Sequence, residues 1–244
     1  MQEQGIRPAR PHTERTEDGR RVREVLTYSC RQRRLSGRQS EIWEKHAAEW
    51  WIPDAAADDP AFDPADWFGG TAPLIVEIGS GIGEAASVLA EKRPEANVLA
   101  FEVWRPGVAE TFARLERRGV SNVRLISIDA VWSIEHLLAP GTLSELWTFF
   151  PDPWPKTRHL RRRLVNPHFA RVVSTRLQQG ALWRLATDAT GYATQMEQVL
   201  SAEPRLSNVY DGPAPRWADR PLTRFERRGV RAGRPITDLA FARV

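Results

Sequence analysis

The chain has 244 residues, 41% of them apolar and 27% charged, with a net charge of +4, which suits a soluble globular domain with a sizeable core and polar extensions. No run approaches the ~18 apolar residues of a membrane helix, and the first twenty-one residues (MQEQGIRPARPHTERTEDGRR) have no apolar stretch of the signal-peptide kind. The single cysteine, Cys30, allows neither an internal disulfide nor a cysteine-rich metal site, so a reducing cytoplasm is the expected compartment and no membrane or metal is expected to be needed.

Residues 1 to about 27 are polar, contain Pro8 and Pro11, show no periodicity, and are expected to form a disordered tail. Ser36 is placed to cap a helix running to about Trp51, with Ile42, Trp43, Ala47 and Trp50 on one side. Pro53 ends it, and the stretch to Pro73 reads as a connector. Then the pattern changes. Apolar runs at Leu74–Ile78, Asn97–Glu102, Val123–Ile128, Leu143–Phe150 and Ala181–Thr187 alternate with helical stretches, among them Glu84–Lys92 and Gly107–Arg118. Strands alternating with helices predict an α/β fold, a mostly parallel, doubly wound, Rossmann-like sheet covered on both faces. The C-terminus differs: Thr223–Arg231 and Ile236–Val244 alternate in a way that predicts an antiparallel hairpin joined through Gly233.

Charge is unevenly spread. Arg20 to Arg38 holds seven arginines and one acid, Glu24. No acid lies between Asp152 and Asp188, a gap that holds Lys156, Arg158, Arg161, Arg162, Arg163, Arg171, Arg176 and Arg184. A third group runs from Arg216 to Arg234. Three basic clusters in a nearly balanced chain predict a face for a polyanion.

The first strand runs into Val76-Glu77-Ile78-Gly79-Ser80-Gly81-Ile82-Gly83-Glu84. Its GxGxG spacing differs from the GxGxxG of dinucleotide folds, whose pyrophosphate needs a helix N-terminus aimed at it. A loop of this kind needs only to clear a ligand, and S-adenosylmethionine has no phosphate. Glu77 suits its cationic amino group and would oppose a pyrophosphate. Glu102, ending the second strand, can take both ribose hydroxyls, and Asp129, ending the third, can accept the adenine amine. Each acid taken singly also reads as a helix cap; together with Gly79 and Gly81 they converge on the crevice where open sheets bind ligands.

The fourth strand ends in Phe149-Phe150-Pro151-Asp152-Pro153-Trp154-Pro155-Lys156, two prolines stiffening a loop around an aspartate and an aromatic. With VEIGSGIGE, FEVWRPGV, ISIDA, FFPDPWPKTRHLRRR, LATD and TRFERRG, the chain resembles the bacterial tRNA (guanine-N7)-methyltransferases over roughly two-thirds of its length, from about Ile75 onward. The FPDPWPK segment followed by RHxRRR is the specific part. The resemblance implies a class I methyltransferase sheet at 73–244, preceded by a basic tail at 1–35 and a helix with connector at 36–72. It implies that Glu77, Glu102, Asp129 and Asp152 contact S-adenosylmethionine or form the active centre. Lys156, Asp188, Thr223, Arg224, Phe225 and Glu226 look like substrate positions, and Arg158, His159, Arg161, Arg162 and Arg163 like the RNA-contacting loop. Departures are the longer tail, Ala189-Thr190-Gly191-Tyr192 after Asp188, and Trp104 where relatives carry a polar residue.

The implied reaction is methyl transfer to a guanine N7 in tRNA, with the variable loop as the expected place and S-adenosylhomocysteine as product, by a monomer or a homodimer. N7 carries a lone pair and no proton, so alignment and electrostatics rather than a general base are required. Asp152, Asp188 and Glu226 are the candidate carboxylates, Asp152 first by position; Trp154 and Trp217 are candidates to stack on the base. The alternatives are a methyltransferase for another RNA, a protein or a small molecule, and an RNA-binding protein without catalysis.

Overall fold

A computed structural model of the chain describes residues 10, 25–29 and 34–244; most of the expected tail, Cys30 included, lies outside the described residues. Ser36 caps α1 (Gly37–Trp50) through a reciprocal capping box with Gln39. Two short 3-10 turns, Asp54–Asp58 and Pro64–Trp67, fill the connector. The alternating part follows as β1 (Leu74–Ile78), α2 (Glu84–Glu91), β2 (Asn97–Phe101), α3 (Arg105–Arg118), β3 (Val123–Ile126), α4 (Ala130–His136), β4 (Leu143–Phe149), a 3-10 turn (Thr157–Arg162), α5 (Pro167–Arg176), β5 (Leu177–Thr187), α6 (Thr190–Ser201), β6 (Leu206–Asn208), α7 (Arg224–Arg231) and β7 (Thr237–Arg243).

The seven strands lie in the order β3-β2-β1-β4-β5-β7-β6. The first five are parallel; β7 runs antiparallel to both β5 and β6. The β1 and β2 residues are almost all buried, as expected of strands covered on both faces. One apolar core joins Trp50, Ile75, Leu89, Phe112, Leu115 and Trp147 under α1, α2 and α3; the other joins Val76, Leu146, Phe169, Trp183 and Met196 under α4, α5 and α6. The helix ahead of the sheet is part of this packing: α1 lies on α3, and Ile52 donates its N–H to the Leu125 carbonyl at the β3 edge.

The C-terminal antiparallel pair exists, but its first strand is β6, not Thr223–Arg231. That segment is helical. Thr223 caps it by accepting the Glu226 N–H, and Gly229 lets it close on the sheet: a Cβ there would lie 3.0 Å from Asp188 Cβ and 3.0 Å from Ile236 Cδ1. Strand order reverses between β1 and β4, the switch point at which open α/β sheets form their ligand crevice.

Candidate active site

The crevice above β1, β2 and β4 is a single pocket whose wall includes Gly79, Gly81, Phe101, Glu102, Trp104, Phe149, Asp152, Arg224 and Phe225. Gly79, Gly81 and Gly83 all have left-handed φ, of 75°, 62° and 72°, which a side chain would resist. Gly107 brings α3 down on this loop, since a Cβ there would lie 2.2 Å from the Gly81 carbonyl oxygen.

Glu77 sits at the C-terminal end of β1, 3% exposed, and its Oε2 is buried with no hydrogen-bond partner. Burial, with Glu102 adding repulsion, pushes its carboxyl up to about 8. Glu102 accepts the Gly81 N–H at 2.6 Å and the Trp104 N–H at 2.7 Å, so it braces the glycine loop and the start of α3. Asp129 is nine-tenths buried and caps α4 by accepting the Trp132 N–H at 2.9 Å; its neighbours Ile128 and Ala130 line the pocket. An orphaned acid oxygen behind a loop of left-handed glycines, and a second acid at the next strand end, fit a cationic, ribose-bearing, phosphate-free ligand.

Asp152 follows β4 in a loop bracketed by two non-glycine residues of positive φ, Phe150 at 54° and Trp154 at 41°. Such conformations cost on the order of 1–3 kcal/mol each and persist where surrounding structure imposes them. Here Phe150 is held by its N–H on the Ala186 carbonyl at 2.7 Å. Residues 25–29 lie across this loop, where the sequence predicts tail up to about residue 27. The Ser29 amide and hydroxyl donate to Asp152 Oδ2 at 3.0 and 3.1 Å; Trp154 Nε1 donates to the Thr27 carbonyl; Arg162 donates to the carbonyls of Leu26 and Tyr28. Thr27, Tyr28 and Ser29 thereby join the pocket wall. The five residues from Val25 to Ser29 are too few to show a periodicity that would reveal this.

The basic loop separates into two kinds of residue. Lys156, Arg158 and Arg161 are exposed. Arg162 stacks 3.5 Å above the Trp154 ring, and His159 meets that ring edge-on. Partial desolvation and the charges of Arg158, Arg162, Lys156 and Arg161 hold the His159 imidazole below its usual range. Arg163, by contrast, is 8% exposed and donates to the Pro153 and Gly191 carbonyls and to Gln195. It ties the Asp152 loop to α6.

The C-terminal candidates divide likewise. Arg224 and Phe225, in the first turn of α7, line the pocket, with the Arg224 guanidinium over both Trp104 and Phe225. Glu226 is 2% exposed and bonded to Arg216 and Arg220; Arg220, fully buried, also binds Asp238 on β7. Asp188, just past β5, accepts from Arg234 at 2.9 Å. Trp217 packs on Trp147 and Phe149 beneath Arg184, outside the pocket wall. Sequence reasoning leaves out Ser29 and also Glu84, which reads only as the first residue of a helix. Among the described residues no His, Cys, Asp and Glu cluster suits a metal ion, and no helix is long and apolar enough to cross a membrane.

Residues 71–239 match a family model described as a putative methyltransferase. The chain is 59% identical over 239 residues to a tRNA (guanine-N(7)-)-methyltransferase of Nocardioides sp., covering 98% of this chain and 95% of that protein. It is 51% identical over 195 residues to a tRNA (guanine-N(7)-)-methyltransferase of Cutibacterium acnes, covering 79% and 69%. Among solved structures, the 16S rRNA methyltransferase KamB superposes with a TM-score of 0.53 at 14% identity, covering 91% of this chain and 99% of that one, a likeness of fold. The glycine loop, the acids at the strand ends and the proline-flanked Asp152 thus stand on a fold and in a sequence context that agree: the chain belongs to the bacterial tRNA (guanine-N7)-methyltransferase family.

Proposed function

We propose that this chain transfers a methyl group from S-adenosylmethionine to N7 of a guanine in tRNA, releasing S-adenosylhomocysteine. The observation that carries the reading is that Asp152 lines the same pocket as Gly79, Gly81 and Glu102, so a base held by Asp152 lies beside the cofactor loop. When bound, S-adenosylmethionine supplies an electrophilic sulfonium methyl. Glu77 neutralises the cofactor's amino group, Glu102 takes its ribose, and the backbone beside Asp129 borders its adenine.

N7 attacks with its in-plane lone pair, so no side chain has to remove a proton. The protein contributes alignment and a preorganised negative charge where the purine turns cationic. Asp152 supplies that charge and accepts from the N1–H and 2-amino edge of the guanine. Phe149, Phe150 and Leu164 keep water from the reacting face. Lys156, Arg158 and Arg161 face solvent on the same loop and meet phosphates. The test is incubation of the protein with unmodified tRNA and S-adenosylmethionine, then nucleoside mass spectrometry for 7-methylguanosine.

A further inference from the structure

Glu84 is the first residue of α2, directly after the glycine loop, and it reaches across to α7. Its Oε2 accepts the Arg224 backbone N–H at 2.7 Å, and its Oε1 accepts Arg227 Nη2 at 2.8 Å. The N–H it takes is one that an α-helix leaves without an internal partner, and an acid there also meets the positive end of the helix dipole. Two further contacts lie alongside. A Cβ on Gly81 would sit 3.8 Å from Phe225 Cε2, and the Arg224 guanidinium lies over Trp104, whose N–H is held by Glu102. The first turn of α7 therefore rests on the cofactor loop, and Glu84 is its charged mooring. The other moorings of α7, Arg220 on Glu226 and the close approach of Gly229 to Asp188, lead to β7 and β5 instead.

We propose that Glu84 is a positioning residue that links the glycine loop to the Thr223–Glu226 segment, so that cofactor and tRNA bind with positive coupling. This rests on the reading that Arg224 and Phe225 face the RNA substrate. A ligand that settles Gly79 to Gly83 fixes the start of α2, which fixes Glu84 and with it the first turn of α7. Coupling of this kind is reciprocal: each ligand strengthens the other by the same factor.

The experiment measures the tRNA dissociation constant by fluorescence anisotropy, with and without saturating S-adenosylhomocysteine, for the wild type, Glu84→Ala, Glu84→Gln and Arg227→Ala. The wild type is expected to bind tRNA at least about fivefold tighter with the product present. Glu84→Ala should bring that factor to near one and lower kcat, while S-adenosylhomocysteine alone binds as in the wild type. Glu84→Gln keeps an acceptor for the Arg224 N–H and should retain part of the coupling. Arg227→Ala leaves α2 intact and should reduce the factor even if Glu84→Ala fails to fold. A wild type without coupling, or full coupling in both Arg227→Ala and a folded Glu84 variant, overturns the proposal. Failure of the reading beneath it shows separately, as tRNA affinity unchanged by Arg224→Ala.

Discussion

Ser29 and Asp152 are joined by two hydrogen bonds, the Ser29 amide and hydroxyl both donating to Oδ2 at 3.0 and 3.1 Å. That oxygen is held from outside the sheet, which restrains the carboxylate where Asp152 lines the pocket. Ser29→Ala removes one bond to a charged group, worth about 1.5–3 kcal/mol and less at this partly exposed site. The expected outcome is a fall in single-turnover rate of roughly tenfold with S-adenosylmethionine affinity unchanged. Equal rates for variant and wild type would remove Ser29 from the positioning of Asp152.

The proposed place of Glu77 beside the cofactor's amino group predicts that cofactor binding is proton-linked. Its carboxyl, pushed up to about 8 by burial and by Glu102, is mostly protonated at neutral pH, whereas a cationic amino group calls for the ionised form. Binding should release close to one proton at pH 7, and affinity should climb with pH and level off above about 8. Calorimetry in two buffers of different ionisation enthalpy reads the release, and Glu77→Gln should abolish it. Stability of the free protein follows the same group. Because the folded value lies above the unfolded 4.5, its contribution is intact below about 4.5 and is lost as pH rises through about 8. The urea midpoint should therefore fall from pH 6 to pH 9, and less so in Glu77→Gln. Identical heats in both buffers would contradict the assignment.

The split within the basic loop gives two different phenotypes. Replacing Lys156, Arg158 and Arg161 with alanine should weaken tRNA binding and flatten its dependence on salt. Each phosphate contact contributes a slope of about −0.9 on a duplex or −0.7 on a single strand, so the slope should drop by roughly two. Arg163→Ala should instead lower stability and loosen the Asp152 loop, since its donors are spent on Pro153, Gly191 and Gln195. Wild-type salt slopes in the triple variant would move the RNA footprint elsewhere.

Arg220 is 1% exposed and bridges Glu226 and Asp238. Desolvation raises the Asp238 carboxyl and Arg220 counteracts it. Arg220→Met would take the cation from buried Asp238 and leave Glu226 with Arg216 alone, and breaking a buried pair in this way costs about 3–5 kcal/mol. Urea unfolding checks it: a loss below about 1 kcal/mol would mean that water or Arg216 replaces the lost partner.

Much of the site is readable in the chain because its signals are local. The glycines, Glu77, Glu102, Asp129 and the prolines around Asp152 sit at the ends of apolar runs, and strand ends in an open sheet converge. What stays hidden depends on contacts distant in sequence. Thr223–Arg231 reads as alternating because Gly229 and four arginines give little helical pattern, while the fit of Gly229 against Asp188 and Ile236 makes it a helix. The true partner strand, β6, has three residues, too short for periodicity to show. Arg163 reads as part of the RNA-contacting loop and Glu226 as a substrate-facing acid until their buried partners are known. Ser29 and Glu84 acquire their roles only when residues 123 and 140 positions away arrive beside them.

Asp152→Ala tests the reading most directly. Wild-type protein and the variant, matched by circular dichroism, are mixed with unmodified tRNA and saturating S-adenosylmethionine, and 7-methylguanosine is followed by nucleoside mass spectrometry under single-turnover conditions. The wild type should form one 7-methylguanosine at a single tRNA position. The folded variant should be slower by about 10²–10³, the loss typical of one preorganised electrostatic group. A folded variant that methylates at the wild-type rate, or a wild type that leaves guanine N7 unmodified, would contradict it.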